Sequence, residues 1–435
     1  MAKNTCTELR NQVMYSVYVR NHSEAGTFRA VEEDLDRIKA LGTDIIWLLP
    51  IYPIGKKSRK GSLGSPYAIQ DYRKVNPEYG AHEDFISLVN GIHHRGMKCI
   101  IDIVFNHTSP DSWLAENHPE WFFRKPCGSF GNKVGAWLDV IDLDFNQAAL
   151  WDYLIDTLKY WAEFVDGFRC DVASLIPLDF WLRAREEVAL VRRDCLWLSE
   201  SVEPAFITHN RVLGFTGLSD SEIFQAFDIS YDYDIFPWYQ GYLEGKNSLA
   251  EYAEKINSQE TMYPANYVKL RFLENHDRSR AKFLIPDEKA LLNWTAFLYF
   301  QKGITLVYAG QETGNEYRPS LFEKDTIRLK PEDCDLSQFM ATLHTIKQDP
   351  VFANSIYRVT ALPGDILLAV HEGQGRCIYG VFSFKGISAP VAVKVPDGIY
   401  KNLIDGIFFR VEDCKLNCRG APVIFQAPAG CYKEC

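Results

Sequence analysis

No run of the 435 residues approaches the roughly twenty consecutive apolar positions that a bilayer crossing needs, so a membrane-spanning protein is not expected. The first twenty residues, MAKNTCTELRNQVMYSVYVR, hold no apolar core, and no secretory leader is expected there. An excess of positive charge is also missing. The formal net charge is −10, which argues against nucleic acid or an anionic membrane surface as the partner. The eleven cysteines, an odd number, follow no compact spacing pattern, which suits a reducing cytoplasm better than a disulfide scaffold. The exception is two CxxxC pairs near the end, Cys414 with Cys418 and Cys431 with Cys435. Four thiolates would have the ligand count of a tetrahedral zinc site. Reduced thiols in β-strands and a tail are the preferred reading. No fixed-period repeat is present, which excludes a solenoid.

What is present is a large apolar fraction, 47% hydrophobic and 14% aromatic, enough for a large core with a smaller companion. Short apolar runs alternate with amphipathic ones. VMYSVYVR (13–20), DIIWLLP (44–50), KCIIDIVFNH (98–107), GFRCDV (167–172), CLWLSES (195–201), AFDISYD (226–232), VKLRFLENHD (268–277) and ITLVYAG (304–310) read as strands. AVEEDLDRIKALG (30–42), EDFISLVNGIHHRG (83–96), residues 149–164, residues 180–194, EKALLNWTAFLYFQKG and LSQFMATLHTIKQ read as helices. This alternation predicts a parallel sheet wrapped by helices. Eight such units are the content of a closed (β/α)8 TIM barrel. A doubly wound open sheet would want a glycine-rich phosphate turn after the first strand, and NHSEAGTF carries one glycine. The barrel is assigned to 1–107 and 146–351, an aromatic-rich domain B insertion to 108–145, and an all-β sandwich domain to 352–435. His93 and His94, in the last turn of their helix, read as surface residues and not as ligands.

In such a barrel the site forms at the C-terminal ends of the strands. The third strand ends in Asp102, Asn106 and His107; the fourth in Arg169 and Asp171; the fifth in Glu200. The seventh closes on Asn275, His276 and Asp277, and the eighth on Tyr308, Gln311 and Glu312. Charged groups near a barrel axis cost desolvation unless they pair or bind something. Asp171, Glu200 and Asp277 thus converge with Arg169 and two histidines. Two carboxylates flanking one bond are what glycoside hydrolysis requires, one attacking or activating water and one donating a proton. Alone, each of these carboxylates reads as a cap or a surface pair, and Arg169 with Asp171 as a structural bridge. Asp102, inside its strand, is read as structural.

Five motifs, DIVFNH, GFRCD, the lone glutamate of WLSES, FLENHD and GITLVYAGQE, stand in the order and spacing of the α-amylase family, which the chain resembles over essentially its whole length. The resemblance implies a retaining α-glucan-active enzyme. Asp171 would be the nucleophile, Glu200 the general acid/base, and Asp277 the group that binds sugar hydroxyls and stabilises the distorted state. Arg169 would orient the nucleophile, and His107 and His276 would bond sugar hydroxyls. Tyr67, in SPYAIQDY, would stack on the sugar. The expected partner is an α-glucan oligosaccharide, taken from imported maltodextrin in the cytoplasm; oligomeric state is not legible.

Two departures from the family pattern matter. The position four after the nucleophile, a histidine where the common calcium site is present, is Leu175, although Asn106 and Asp142 or Asp144 match ligand positions. No cofactor is therefore expected, with calcium not essential. Exo-acting members carry an aspartate after the stacking tyrosine, and here it is Ala68, while Arg280 matches that aspartate's partner. This favours an endo-acting or maltogenic hydrolase of α-1,4 bonds. A transglycosylase would use the same residues. A catalytically dead relative, which typically loses one of the three carboxylates, is disfavoured. Of Trp113, Trp121, Phe122, Phe123 and Trp137, most should pack the insertion onto the barrel, and the basic loop GKKSRKGS reads as a solvated turn.

Overall fold

A computed structural model of the chain describes residues 4–135 and 137–429. Eight parallel strands close into a barrel: β1 (Val13–Val17), β2 (Ile45–Leu48), β3 (Lys98–Ile103), β4 (Gly167–Cys170), β5 (Leu196–Ser199), β6 (Ile229–Tyr231), β7 (Val268–Arg271) and β8 (Ile304–Tyr308). Each strand pairs with its neighbours in sequence, and β1 closes on β8 through Val13↔Thr305 to Ser16↔Tyr308. Every barrel strand is buried along nearly its whole length, as strands sandwiched between packed barrel interior and outer helices must be.

The helices earn their places by spacing. In His82–His94 the buried residues include Phe85, Leu88, Val89 and Ile92, the i, i+3, i+4, i+7 stripe, and Asp84 accepts from the Ala81 amide at its start. The segment read as one helix over 30–42 bends instead into Phe28–Glu33 and Leu35–Ala40. The break is at Asp34, whose carboxylate is drawn to His22 (2.9 Å) and Arg37 (2.7 Å). The first strand stops at Val17, three residues early, because the chain turns into a one-turn helix, Val19–His22, that carries Arg20 to Glu78. His93 sits 2.7 Å from Asp166 as a partly exposed pair.

After β3 the insertion is tied at its base by a two-residue ladder, His107↔Asp142 and Thr108↔Ile141. Its aromatics mostly serve packing. Trp121 and Phe122 are buried, Trp113 stacks on Tyr153 at 5.7 Å, and Phe123 meets Phe215 edge-on at 5.9 Å. Beyond the helix Ser337–Lys347 the chain is all β. Strands β9 (Ile356–Leu362), β10 (Ile366–Gly373) and β11 (Arg376–Ser383) pair in order, and a final strand, Val423–Pro428, adds to β11. Among the described residues two further antiparallel pairs complete the domain, Ser388–Ala392 with Lys415–Arg419 and, nested between them, Gly398–Lys401 with Phe408–Val411. It docks on the barrel through Phe384, stacked 3.7 Å over Trp294 of the helix Glu288–Phe300.

Cys99, Cys170, Cys195, Cys377 and Cys418 are buried free thiols. Cys414 is disulfide-bonded, against the expectation of a reduced thiol, and a disulfide sulfur offers no thiolate to zinc. Thiol proximity is a tertiary property that spacing along the chain does not report. Cys431 and Cys435 lie outside the described residues. Among the described residues no helix is long and apolar enough to cross a membrane.

Candidate active site

The site is built from register. Asp102 on β3 and Arg169 on β4 are cross-strand partners, so both project into the barrel, where each is fully buried. Two residues on, Asp171 points the same way. Its amide continues the ladder by donating to the Ile103 carbonyl at 2.8 Å, and the Glu200 amide does likewise to Cys170 at 3.0 Å. Cys170, between the two charges, is buried in the core. The strand ends therefore deliver Asp171 and Glu200, 6% and 7% exposed, side by side at the barrel mouth.

Arg169 is the centre of the arrangement. Its Nη1 donates to Asp102 Oδ1 at 2.8 Å, to Asp102 Oδ2 at 3.1 Å and to Asp171 Oδ1 at 2.8 Å. Its Nη2 lies 2.9 Å from Glu200 Oε2 as an ion pair. The guanidinium sits among three rings, with Trp47, Tyr231 and Tyr67 at 5.1, 5.4 and 5.8 Å from its carbon, faces that favour a cation with little water. Glu200 Oε2 also accepts from the Val172 amide at 2.8 Å. Val172 holds φ +37°, a left-handed conformation that a β-branched residue rarely adopts.

Burial pushes the Glu200 carboxyl up to about 7, with the Arg169 cation opposing and the Asp171 and Asp277 charges adding to the rise. Burial likewise raises Asp171 and Asp102, each to about 6, against the pull of the shared guanidinium. Asp277 goes the other way, down to about 2: burial would raise it, but the His276 ring, 3.0 Å from its Oδ2, and Arg169 outweigh that. Its side chain is 47% accessible to solvent. From His276 Nε2 a chain of hydrogen bonds runs on to the Tyr67 hydroxyl (2.7 Å) and from that hydroxyl to Asp102 Oδ2 (3.2 Å). His107, lowered by burial, is held by Asn106 at 3.1 Å and faces Trp137 at 5.3 Å. Asn275 accepts from the Asp277 amide at 2.9 Å and so fixes the turn that presents Asp277.

A cavity of about 330 Å³ opens on Tyr67, His107, Asp171, Glu200 and Asp277, so the structure gathers the three expected carboxylates with two of the expected binding residues. Arg169 and His276 lie directly beneath them. Arg280 is elsewhere engaged. It is buried, paired with Glu274 at 2.6 Å, donates to the Ala309 carbonyl and lies over Tyr308. It reaches a neighbouring cavity of about 580 Å³ with its charge already balanced. Glu312 turns away to Tyr15 and Arg37. Four participants were not legible as such: Trp47, Tyr231, Lys60 and Asp139. Lys60 and Asp139 line the cavity as an ion pair at 2.8 Å, so one side chain of the basic loop GKKSRKGS turns to the cavity, while Lys56, Lys57, Ser58, Gly61 and Ser62 are exposed as a solvated turn requires. The charge pattern gave no hint, because Asp139 is 79 residues away.

The residues at the family's calcium positions do not fit a divalent cation. Leu175, at one of these positions, is apolar and buried and supplies no oxygen ligand. The half-buried Lys133 extends its ammonium to the Leu143 carbonyl at 3.3 Å, within the fields of Asp142 and Asp144, while its amide donates to Asp142 Oδ2 at 2.7 Å. A cation that belongs to the chain stands where a metal would have to balance those carboxylates. Among the described residues no group of three or more His, Cys, Asp or Glu side chains is arranged to hold a metal ion.

A closed (β/α)8 barrel with paired carboxylates at its mouth, one acid raised and one cation shared between them, is a scaffold for hydrolysing glycosidic bonds. The chain belongs to the α-amylase family: the model of the alpha amylase catalytic domain matches residues 15–127 and 120–351, and that of the bacterial alpha amylase C-terminal domain matches residues 358–425. It is a glycoside hydrolase of that family. Among solved structures, an alpha-amylase from Lactobacillus plantarum is 48% identical over 97% of this chain and 99% of that one, with a TM-score of 0.94. A noncanonic maltogenic alpha-amylase, AmyB from Thermotoga neapolitana, is 33% identical over 97% and 99%, with a TM-score of 0.87. The curated Alpha-amylase 2 of Dictyoglomus thermophilum is 26% identical over 88% of this chain, which spans 67% of that protein and about half or less of the next relatives.

Proposed function

We propose that the protein hydrolyses α-1,4-glucosidic bonds in malto-oligosaccharides and starch-derived α-glucans, with retention, by double displacement. The observation that carries this reading is the single guanidinium of Arg169 touching Asp171 on one nitrogen and Glu200 on the other. Asp171 attacks the anomeric carbon, the bond to the leaving oxygen breaks, and Glu200 gives that oxygen its proton. In the second half Glu200 takes a proton from water, the water oxygen attacks the same carbon, and the ester to Asp171 breaks. Asp277, held ionised, and the histidines bind the sugar hydroxyls, with Tyr67 beneath the ring. Ala68 supplies no carboxylate to stop a chain at its first sugar, and Arg280, neutralised by Glu274, supplies no free cation. That supports maltogenic or endo action, and the name of the Thermotoga relative agrees with it. The Lys133 ammonium supports activity without calcium. Cytoplasmic maltodextrin is the proposed pool.

A transferase reading has its own support, since an α-1,4-glucan:maltose-1-phosphate maltosyltransferase of Pseudomonas aeruginosa is 33% identical over 270 residues. One experiment tests these choices: chromatographic product analysis on maltotriose, maltoheptaose, pullulan and starch, with and without a chelator. Maltose and short oligosaccharides, released first as the α-anomer and unaffected by chelation, are expected. Glucose alone from the non-reducing end would overturn maltogenic or endo action. Products longer than the substrate would favour the transferase, and activity lost to chelation and restored by calcium would overturn metal independence.

The pH dependence follows from the same groups. The productive state has Asp171 ionised, which requires pH above about 6, and Glu200 protonated, which requires pH below about 7. kcat/KM on maltotriose should therefore trace a narrow bell with its maximum between those values. In Asp102→Asn the acid limb should move to lower pH, because a negative neighbour that raises Asp171 is gone; a limb that stays in place would refute the coupling.

A further inference from the structure

We infer that residues 55–64 form a strap across the mouth of the catalytic cavity, and that it selects chain ends and short oligosaccharides over the interior of polymeric glucan. The inference rests on the glucan-hydrolase reading above and decides between its two modes, favouring maltogenic attack near chain ends over endo attack. The loop is anchored on two separate segments, the insertion and the stretch after β8. On the side of the insertion, the amides of Lys56 and Lys57 both donate to Asp111 Oδ2, at 2.8 and 3.2 Å, and Lys60 pairs with Asp139 at 2.8 Å. On the side of the segment after β8, the Ser62 amide donates to Glu323 Oε1 at 2.7 Å, the Ser62 hydroxyl donates to the other oxygen of that carboxylate, and the Leu63 amide donates to the Phe322 carbonyl at 3.0 Å. Lys60, Asp139 and Phe322 all line the catalytic cavity, so these anchors lie at its rim.

The backbone between the anchors is shaped for this crossing. Gly61 holds φ +63°, and a Cβ there would lie 2.6 Å from Glu323 Oε1 and 2.7 Å from the Phe322 Cβ. Only glycine allows so close a passage against the stretch after β8. Arg59 stiffens the loop from within, donating to the Ser62 carbonyl at 2.8 Å. A loop joined to both segments turns a groove into an opening. A free chain end can pass it, but an interior segment, with glucan continuing on both sides, cannot be laid in sideways until a latch opens. The latches are partly exposed polar contacts and so belong to the low-stability end of the structure, where local opening is cheap.

The test compares kcat/KM on soluble starch with kcat/KM on maltotriose in the wild type, Glu323→Ala and Gly61→Val. Glu323 does not line the cavity, and Gly61→Val forces the strap off the stretch after β8. The starch-to-maltotriose ratio should rise about tenfold in Glu323→Ala, the effect of losing two hydrogen bonds to a charged group from the closed state. Should either variant fail to fold by circular dichroism, the wild type reads the same point: 1 M sodium chloride, by screening Lys60–Asp139, should raise its ratio. Ratios within twofold of wild type in folded, active variants, or a salt-independent ratio where neither folds, overturn the strap. A wild type inactive on every glucan overturns the functional reading instead, and the strap's role with it.

Discussion

Asp171→Asn is expected to lower kcat on maltoheptaose by about 10⁴-fold or more while leaving the fold intact, because an amide oxygen is neither anionic nor able to form a glycosyl ester that water can resolve. The geometry makes the substitution clean. Asp171 accepts from Arg169 Nη1 through Oδ1, and asparagine can present its carbonyl oxygen in that position. Asp102, already bonded twice to the same nitrogen, keeps the guanidinium in place. The loss should therefore fall on kcat and not on thermal stability. The companion experiment captures the nucleophile. In Glu200→Gln the second half-reaction has no general base, so an activated maltosyl fluoride, which needs no acid to leave, should load the enzyme and stop. Mass spectrometry of the digest should find the added sugar on the peptide containing Asp171. Wild-type turnover in Asp171→Asn, or a sugar found on another peptide, would end the assignment.

Arg169→Leu is expected to cost about 3 to 5 kcal/mol of stability in addition to abolishing activity, since it leaves buried carboxylates facing one another with their counter-charge removed. Asp102, Asp171 and Glu200 all contact this one side chain, and Asp102 and Arg169 are fully buried. The sign with pH is definite. All three carboxyls already titrate above their ordinary values, and without the guanidinium they rise further. A group whose folded pKa lies above its unfolded value supports the fold below the unfolded pKa and loses that contribution as pH rises through the folded one. The deficit of Arg169→Leu relative to wild type should thus be smallest near pH 4 and grow through pH 6 to 8 in urea denaturation. A deficit that is flat across this range would mean that the guanidinium packs the barrel without holding the charges. Arg169→Lys should recover only part of the loss, because one ammonium cannot reproduce two nitrogens aimed at different carboxylates.

The barrel was legible because each strand is a short apolar run between amphipathic helices, and burial on both faces leaves little else such runs can be. The carboxylates were legible because strand ends in such a barrel all face one cleft, so position along the chain already implied proximity. What escaped depends on contacts between distant segments. Nothing local distinguishes Arg280 with a free guanidinium from Arg280 neutralised by Glu274, six residues earlier in the same turn. GKKSRKGS has the composition of a solvated loop, and only the approach of Asp139 and Glu323 makes it a crossing. The break at Asp34 coincides with a contact to His22, twelve residues earlier, that the helical pattern does not report, whereas Asp102, read as structural, is a fully buried partner of Arg169 outside the cavity lining.

The Val172 peptide unit joins what two separate strands deliver. It follows Asp171 directly, and its N–H is bonded to the Glu200 carboxylate. One planar peptide unit thereby ties Glu200 to the strand end that carries Asp171. A change in the loops around the cleft can thus reshape the cavity while the two carboxylates stay tied through a single amide.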